Sequence, residues 1–362
     1  MLYQWLYPLR DIWFGFNVFK YITFRVAMAS VTSFALTVLL GPYIIRKLKS
    51  MKINQRIRRD HVEDLYQMHK HKENTPTMGG ILIICGVLFS TLLWARMDNV
   101  FVLLCLVSIV WLGLVGYIDD YLKIIKGKSD GLRASAKFIG QLLIAVLVAV
   151  FLYFNQQVDK ALYLPFFKNI VINMGIFYIL FVVLIIVGTS NAVNITDGLD
   201  GLAAGCIIIV ALTYAILSYI TGNAQISSYL NVYYLPGAGE LAVLCAAIAG
   251  AGLGFLWHNC HPADIFMGDT GSLPLGGVIG VVCVIVKKEL LLLIVGGIFV
   301  VEVLSVIMQI VSCKLRNKKL FLIAPLHHHF QYKKIPESKI IIRFWIVAII
   351  LALISLSTLK LR

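Results

Sequence analysis

The sequence predicts an all-α polytopic membrane protein of about ten transmembrane helices, with both termini periplasmic and the polar loops gathered at the cytoplasmic face. Three observations predict it. Of 362 residues, 60% are hydrophobic and 14% charged, against roughly 45–50% and about 25% in a soluble domain. The apolar residues come in blocks: 101–118 is free of charge, and 290–311 holds Glu302 as its one acid. The basic residues are sided: segments 46–77, 119–137 and 313–343 hold 22 of the 32 Lys and Arg, whereas 221–240 holds none. An apolar run of this length crosses the ~30 Å hydrocarbon core as a helix, because lipid offers the backbone no hydrogen-bond partners. Lys and Arg stay on the cytoplasmic side, which sets the orientation.

The expected spans fall near 21–45, 78–95, 99–118, 135–154, 170–188, 199–219, 239–257, 271–286, 290–312 and 340–359. Residues 1–20 carry Asp11 and scattered aromatics, with no basic start and no small-residue cleavage site. They read as an interfacial segment, not a signal peptide. With no repeat or soluble insertion, 1–362 reads as a single integral-membrane domain. Most of the seven cysteines lie inside apolar runs and read as small core residues, with no disulfide framework. The net charge of +14 would suggest nucleic acid on a soluble chain. Here it follows membrane topology, so the lipid bilayer is the expected partner and nucleic acid is not. The same cations could serve a polyanionic substrate.

The acids that stand out fall on the basic side. Asp119-Asp120 ends the third span, Asp197 and Asp200 precede the sixth, and Asp264 and Asp269 precede the eighth. Adjacent carboxylates repel unless a cation intervenes, so Asp119-Asp120 suits a divalent metal or a phosphate-bearing partner. If the helix continues past them, Lys123 pairs with Asp119 at i,i+4. The stretch Asn191–Gly201 holds more cap and turn residues than one cap needs. In Phe266–Ser272, Asp269 beside Gly268 fits a Mg²⁺ ligand with close backbone approach. His327-His328-His329 cannot easily all reach one metal, and donation to phosphate or sugar oxygens suits them better. The entry Lys72–Gly80 combines a Lys with hydroxyls at a helix start, which suits an anion. His258, Asn259, Cys260 and His261 have poor spacing for zinc. Acids that suit Mg²⁺, many cations and a membrane setting together suggest phosphoryl chemistry on a lipid.

The stretches Thr75–Gly80, Asp119–Lys123, Asn191–Gly201, Phe266–Ser272 and Ala324–His329, in this order, resemble the bacterial phospho-N-acetylmuramoyl-pentapeptide-transferase family over nearly the whole chain. The resemblance implies a multi-pass enzyme of the bacterial inner membrane, often a homodimer. It would convert UDP-N-acetylmuramoyl-pentapeptide and undecaprenyl phosphate into lipid I and UMP with Mg²⁺, in peptidoglycan synthesis. It implies that Asp269 is the main metal ligand and that Asp119 and Asp120 handle the lipid phosphate, with Asp119 as base. Asp197 would be catalytic or substrate-orienting. Phe266 would stack on uracil, with Lys72, Gly198, Leu199, Asp200 and Asn259 in the uridine pocket. Thr77, Asn191, Asn194, Gln309, His327, His328 and His329 would line the substrate site, and Lys123 and Lys137 would face phosphate. The first basic loop departs from the family pattern at 60–64, Met68-His69 and Asn74, and Gln331 stands where Glu is common. Two rival readings are an ion-coupled transporter, which would hold its acids near the bilayer midplane, and the sibling that transfers N-acetylglucosamine-1-phosphate to the same lipid.

Overall fold

The computed structural model describes residues 1–51, 75–126, 131–164 and 171–360. Lys72 and the departures at 60–74 lie outside these residues. Among the described residues, eight helices are long and apolar enough to cross a membrane, and two shorter apolar helices join them. In chain order the helices that position the site are α1 (Leu2–Leu6), α2 (Ile22–Ser50), α3 (Gly80–Trp94), α4 (Val100–Lys126), α5 (Ala134–Phe154), α6 (Phe177–Thr196) and α7 (Leu202–Thr221). A short α8 (Ala224–Leu230) precedes α9 (Leu241–Asn259) and α10 (Asp269–Ile285). Then follow α11 (Glu289–Val295), α12 (Gly297–Arg316), α13 (Leu326–Tyr332) and α14 (Glu337–Ser357).

The centre of the bundle is built from small residues. In α9, Leu241–Gly252 is mostly Ala, Gly, Val and Leu, and nearly every side chain is buried. Small residues let helix backbones approach closely, which is what holds helices together once lipid has replaced water around them. Accordingly α9 packs on α2 and α7, while α10 packs on α4 and α6. Gly116 of α4 lies against the Asp269 carbonyl, and a Cβ there would collide with it. The outward faces carry Leu, Ile, Val and Phe, among them Leu39, Leu147, Leu184 and Leu353.

Three boundaries differ from expectation. The helix α4 runs through Asp119-Asp120 to Lys126; the Asp119–Lys123 pair at i,i+4 helps sustain it. The fifth span starts at Phe177, not 170. It is preceded by an antiparallel hairpin, Ala161–Tyr163 with Val171–Asn173, so the fold is mainly but not wholly helical. The run 290–312 is broken at Gly296 into α11 and α12. Residues 1–20 form α1 and two short 3-10 helices that leave Trp5, Ile12, Trp13 and Phe14 exposed.

Successive long helices run in opposite directions, which brings the loops before α3, α5, α7, α10 and α14 to one end of the bundle. Contacts among Gly79 and Phe266, Lys137 and Asp269, and Asp200 and Glu337 fix that common end. Arg25, Trp94, Arg96 and Glu240 meet at the other.

Candidate active site

Two helices carry three carboxylates to one point. Asp119 and Asp120 sit in the last turns of α4, and Asp269 opens α10. Each offers an oxygen within 4.8 Å of the others. The turn that aims Asp269 depends on Gly268, whose φ of +71° is open to glycine and strained for a side chain. A Cβ at Gly268 would also press on Asp120 Oδ2 and Thr77 Oγ1, which places Thr77 beside the cluster.

Lys123 Nζ stands where the carboxylates converge: 2.5 Å from Asp119 Oδ2, 3.0 Å from Asp269 Oδ2 and 3.5 Å from Asp120 Oδ1. Lys137 Nζ, from the first turn of α5, donates to Asp269 Oδ2 at 2.6 Å. Asn194 Nδ2, near the end of α6, donates to Asp269 Oδ1 at 2.6 Å and to Ser272 Oγ at 2.8 Å. Asp120 Oδ2 accepts from both the backbone N–H and the hydroxyl of Thr270, 2.9 and 2.7 Å. Asp119 Oδ1 accepts from Leu132 N–H at 2.9 Å. Four helices thus hold one cluster of acids and cations. Oxygen ligands from one or two carboxylates, with room for phosphate and water, are what Mg²⁺ takes, so these residues fit that ion. Asp269, with Asp119 and Asp120 in reach, would hold it.

Asp197 follows the last residue of α6 and hydrogen-bonds the Gly268 backbone. Burial, reinforced by the charges of Asp269 and Asp120, pushes its carboxyl up to about 8. Asp200, three residues on, turns away from the cluster. Its Oδ2 meets His261 Nδ1 at 3.1 Å and Ala263 N–H at 3.2 Å, while its own N–H donates to Glu337 Oε1 at 3.0 Å.

The remaining expected site residues divide into those at this end and those committed to structure. Gly198 and half-buried Phe266 lie at the mouth, and Phe266 N–H donates to the Pro76 carbonyl. Leu199 is buried in the apolar core. Asn259 accepts from Gly201 N–H and donates to the Ile265 carbonyl, bracing two loops. Asn191 pairs with Gln141 across α5 and α6. Gln309 bonds the backbone of Leu320 and Phe321. The three histidines take different partners: His327 goes to Glu302, His328 to Gln331, and His329 accepts from Leu322 N–H. Thr270, Ser272, His261, Glu337 and Glu302 were not expected in the network. The hydroxyls of 270 and 272 follow Asp269 directly in sequence. Glu302 is a lone acid in an apolar run, and such acids are rare without a role.

Known proteins resemble the chain over its whole length. The profile described as Glycosyl transferase family 4 matches residues 101–287, and a phospho-N-acetylmuramoyl-pentapeptide-transferase signature matches 72–84. Proteins named phospho-N-acetylmuramoyl-pentapeptide-transferase from Citrifermentans bemidjiense and Geobacter sp. strain M21 are each 52% identical to it, and one from Thermodesulfovibrio yellowstonii is 53% identical. In each case all of both chains is covered.

Proposed function

The chain belongs to the phospho-N-acetylmuramoyl-pentapeptide-transferase family, a family of multi-pass membrane enzymes, and from that premise we propose its reaction. It transfers phospho-N-acetylmuramoyl-pentapeptide from UDP-N-acetylmuramoyl-pentapeptide to undecaprenyl phosphate, giving lipid I and UMP. The chain works as one domain of about ten spans in the bacterial inner membrane, with the site facing the cytoplasm and both termini outside. The observation that carries this reading is the convergence of Asp119, Asp120 and Asp269 with Lys123 and Lys137 at the end of a bundle of apolar helices.

In this reaction a lipid phosphate oxygen attacks the sugar-bound phosphorus. The bond to the bridging oxygen of UMP breaks, and UMP leaves with that oxygen. Asp119, whose Oδ2 is held by Lys123, takes or orients the proton of the attacking phosphate. Asp120, fixed twice by Thr270, locks α4 onto α10 and holds its neighbour in place. Lys123 and Lys137 exchange carboxylate partners for phosphate oxygens and offset the charge of the diphosphate. Asn194 keeps the Asp269 carboxylate turned to the cluster. Asp269, with Asp119 and Asp120 in reach, would hold a Mg²⁺ ion, which would supply positive charge to offset that developing on the departing UMP. Phe266 stacks on uracil, with the Gly198–Asp200 turn beside it.

Purified protein incubated with UDP-N-acetylmuramoyl-pentapeptide, undecaprenyl phosphate and Mg²⁺ should release UMP, and release should stop with chelator. Faster turnover with UDP-N-acetylglucosamine would replace this reading by the sibling one. Ion transport with no UMP release would replace it by a transporter, a reading the one-ended placement of the acids disfavours.

A further inference from the structure

The apolar helix α12 contains one acid, Glu302, with no exposed surface. A buried carboxylate needs partners, and it has them in one residue. Glu302 Oε1 accepts the backbone N–H of His327 at 3.1 Å, and Oε2 lies 3.1 Å from His327 Nδ1. His327 is 1% exposed. A carboxylate that engages one ring nitrogen makes that nitrogen the donor, fixes the ring plane and leaves the other nitrogen for a ligand. The other nitrogen, Nε2, is buried and has no hydrogen-bond partner among the described residues. It faces Gly198, where a Cβ would collide with it. A buried polar atom without a partner is costly, and this one points at the turn Asp197–Gly201.

We propose that Glu302 is a positioning residue for the donor substrate: it acts only through His327, setting the imidazole so that Nε2 meets an oxygen of the nucleotide half at the Gly198 turn. This rests on the reading of that turn as the nucleotide site. Glu302 itself touches no substrate; it is screened by His327. No covalent step is involved. Gly198 is required because any side chain would occupy the space between Nε2 and the ligand.

The test is a double-mutant cycle of Glu302→Gln and His327→Asn, with KM measured separately for the nucleotide sugar and for the lipid phosphate. Glutamine keeps the shape but puts a donor NH2 where one of the two accepting oxygens stands, so it cannot receive both the His327 N–H and Nδ1–H in this geometry. The expected result is a ~10- to 100-fold loss of kcat/KM for the nucleotide sugar, an unchanged lipid KM, and no further loss when Glu302→Gln is added to His327→Asn. Additive losses, or equal damage to both KM values, would overturn it and make Glu302 a plain fold element. Wild-type enzyme that releases no UMP would instead defeat the reading of the reaction. Should Glu302→Gln not fold, ¹⁵N-histidine spectra of the wild type carry the test, with His327 assigned by its loss in His327→Asn. UMP should move the Nε2 resonance more than Nδ1; an Nε2 signal indifferent to saturating UMP overturns the proposal.

Discussion

The two ends of this helix bundle both bury charge, and they do so by opposite designs. At the end away from the acidic loops, buried acids are matched to bases in pairs. Arg25 and Glu240 form a two-bond pair at 2.6 Å each, with Glu240 also accepting from Arg96 N–H and Arg25 donating to the Trp94 carbonyl. Lys287 pairs with Glu289 at 3.1 Å and lies over the Tyr178 ring. At the other end, three carboxylates share Lys123, and Lys137 adds a second cation to Asp269 alone. Each such pair is neutral as it stands. A cluster with more carboxylates than cations is complete only with a further positive charge, which is what a site for a divalent ion and phosphates requires. The difference teaches that charge balance, more than burial, separates a fastening from a site.

The comparison breaks most sharply at Asp269. Asp269→Asn should cut turnover at least ~100- to 1,000-fold, the range for losing one preorganised charge-stabilising group, with the melting temperature of the detergent-solubilised protein preserved. Near-wild-type turnover would remove Asp269 from the centre. Lys123→Met should cost about 100-fold in kcat/KM; a loss of stability without a loss of rate would move Lys123 into the class of the far-end pairs. Arg25→Met reverses the pattern. It leaves Glu240 buried without its partner, at about 3–5 kcal/mol, so thermal stability should fall while kcat/KM per folded enzyme holds. A large fall in kcat/KM there would erase the contrast between the ends.

A further contrast is a pH trend. A carboxyl raised to about 8 in the fold, against roughly 4 when unfolded, keeps its proton longer in the native state. The native state then binds more protons between those values, so stability falls as pH rises through that window and levels above it. The metal-free protein should melt lower at pH 8 than at pH 5, and Asp197→Asn should flatten that slope. An unaltered slope would mean the trend comes from other groups.

Much of this was legible in the sequence because membrane spans confine polar residues to their ends. The acids at 119, 197 and 269 each flank an apolar run, so counting the runs brought them together. Where a helix stops was less legible. Asp119-Asp120 reads as an end, yet pairing with Lys123 carries α4 on to Lys126. Strands of three residues are too short for a two-residue period to register, which hid the hairpin before α6. Partner choice was illegible: an Asn or Gln in a motif does not say whether it faces substrate. Asn191, Asn259 and Gln309 spend their amides on other helices and loops. Glu302 could be singled out as a lone acid, but its pairing with His327 joins elements whose spacing in the sequence carries no period.

Binding of Mn²⁺ as a spectroscopic substitute for Mg²⁺, followed by electron paramagnetic resonance on the detergent-solubilised protein, tests the central claim most directly. The wild type and Arg25→Met should bind one ion per chain, and Asp269→Asn should lose it. Equal binding by Asp269→Asn and the wild type would contradict the assignment of the ion to the three converging carboxylates.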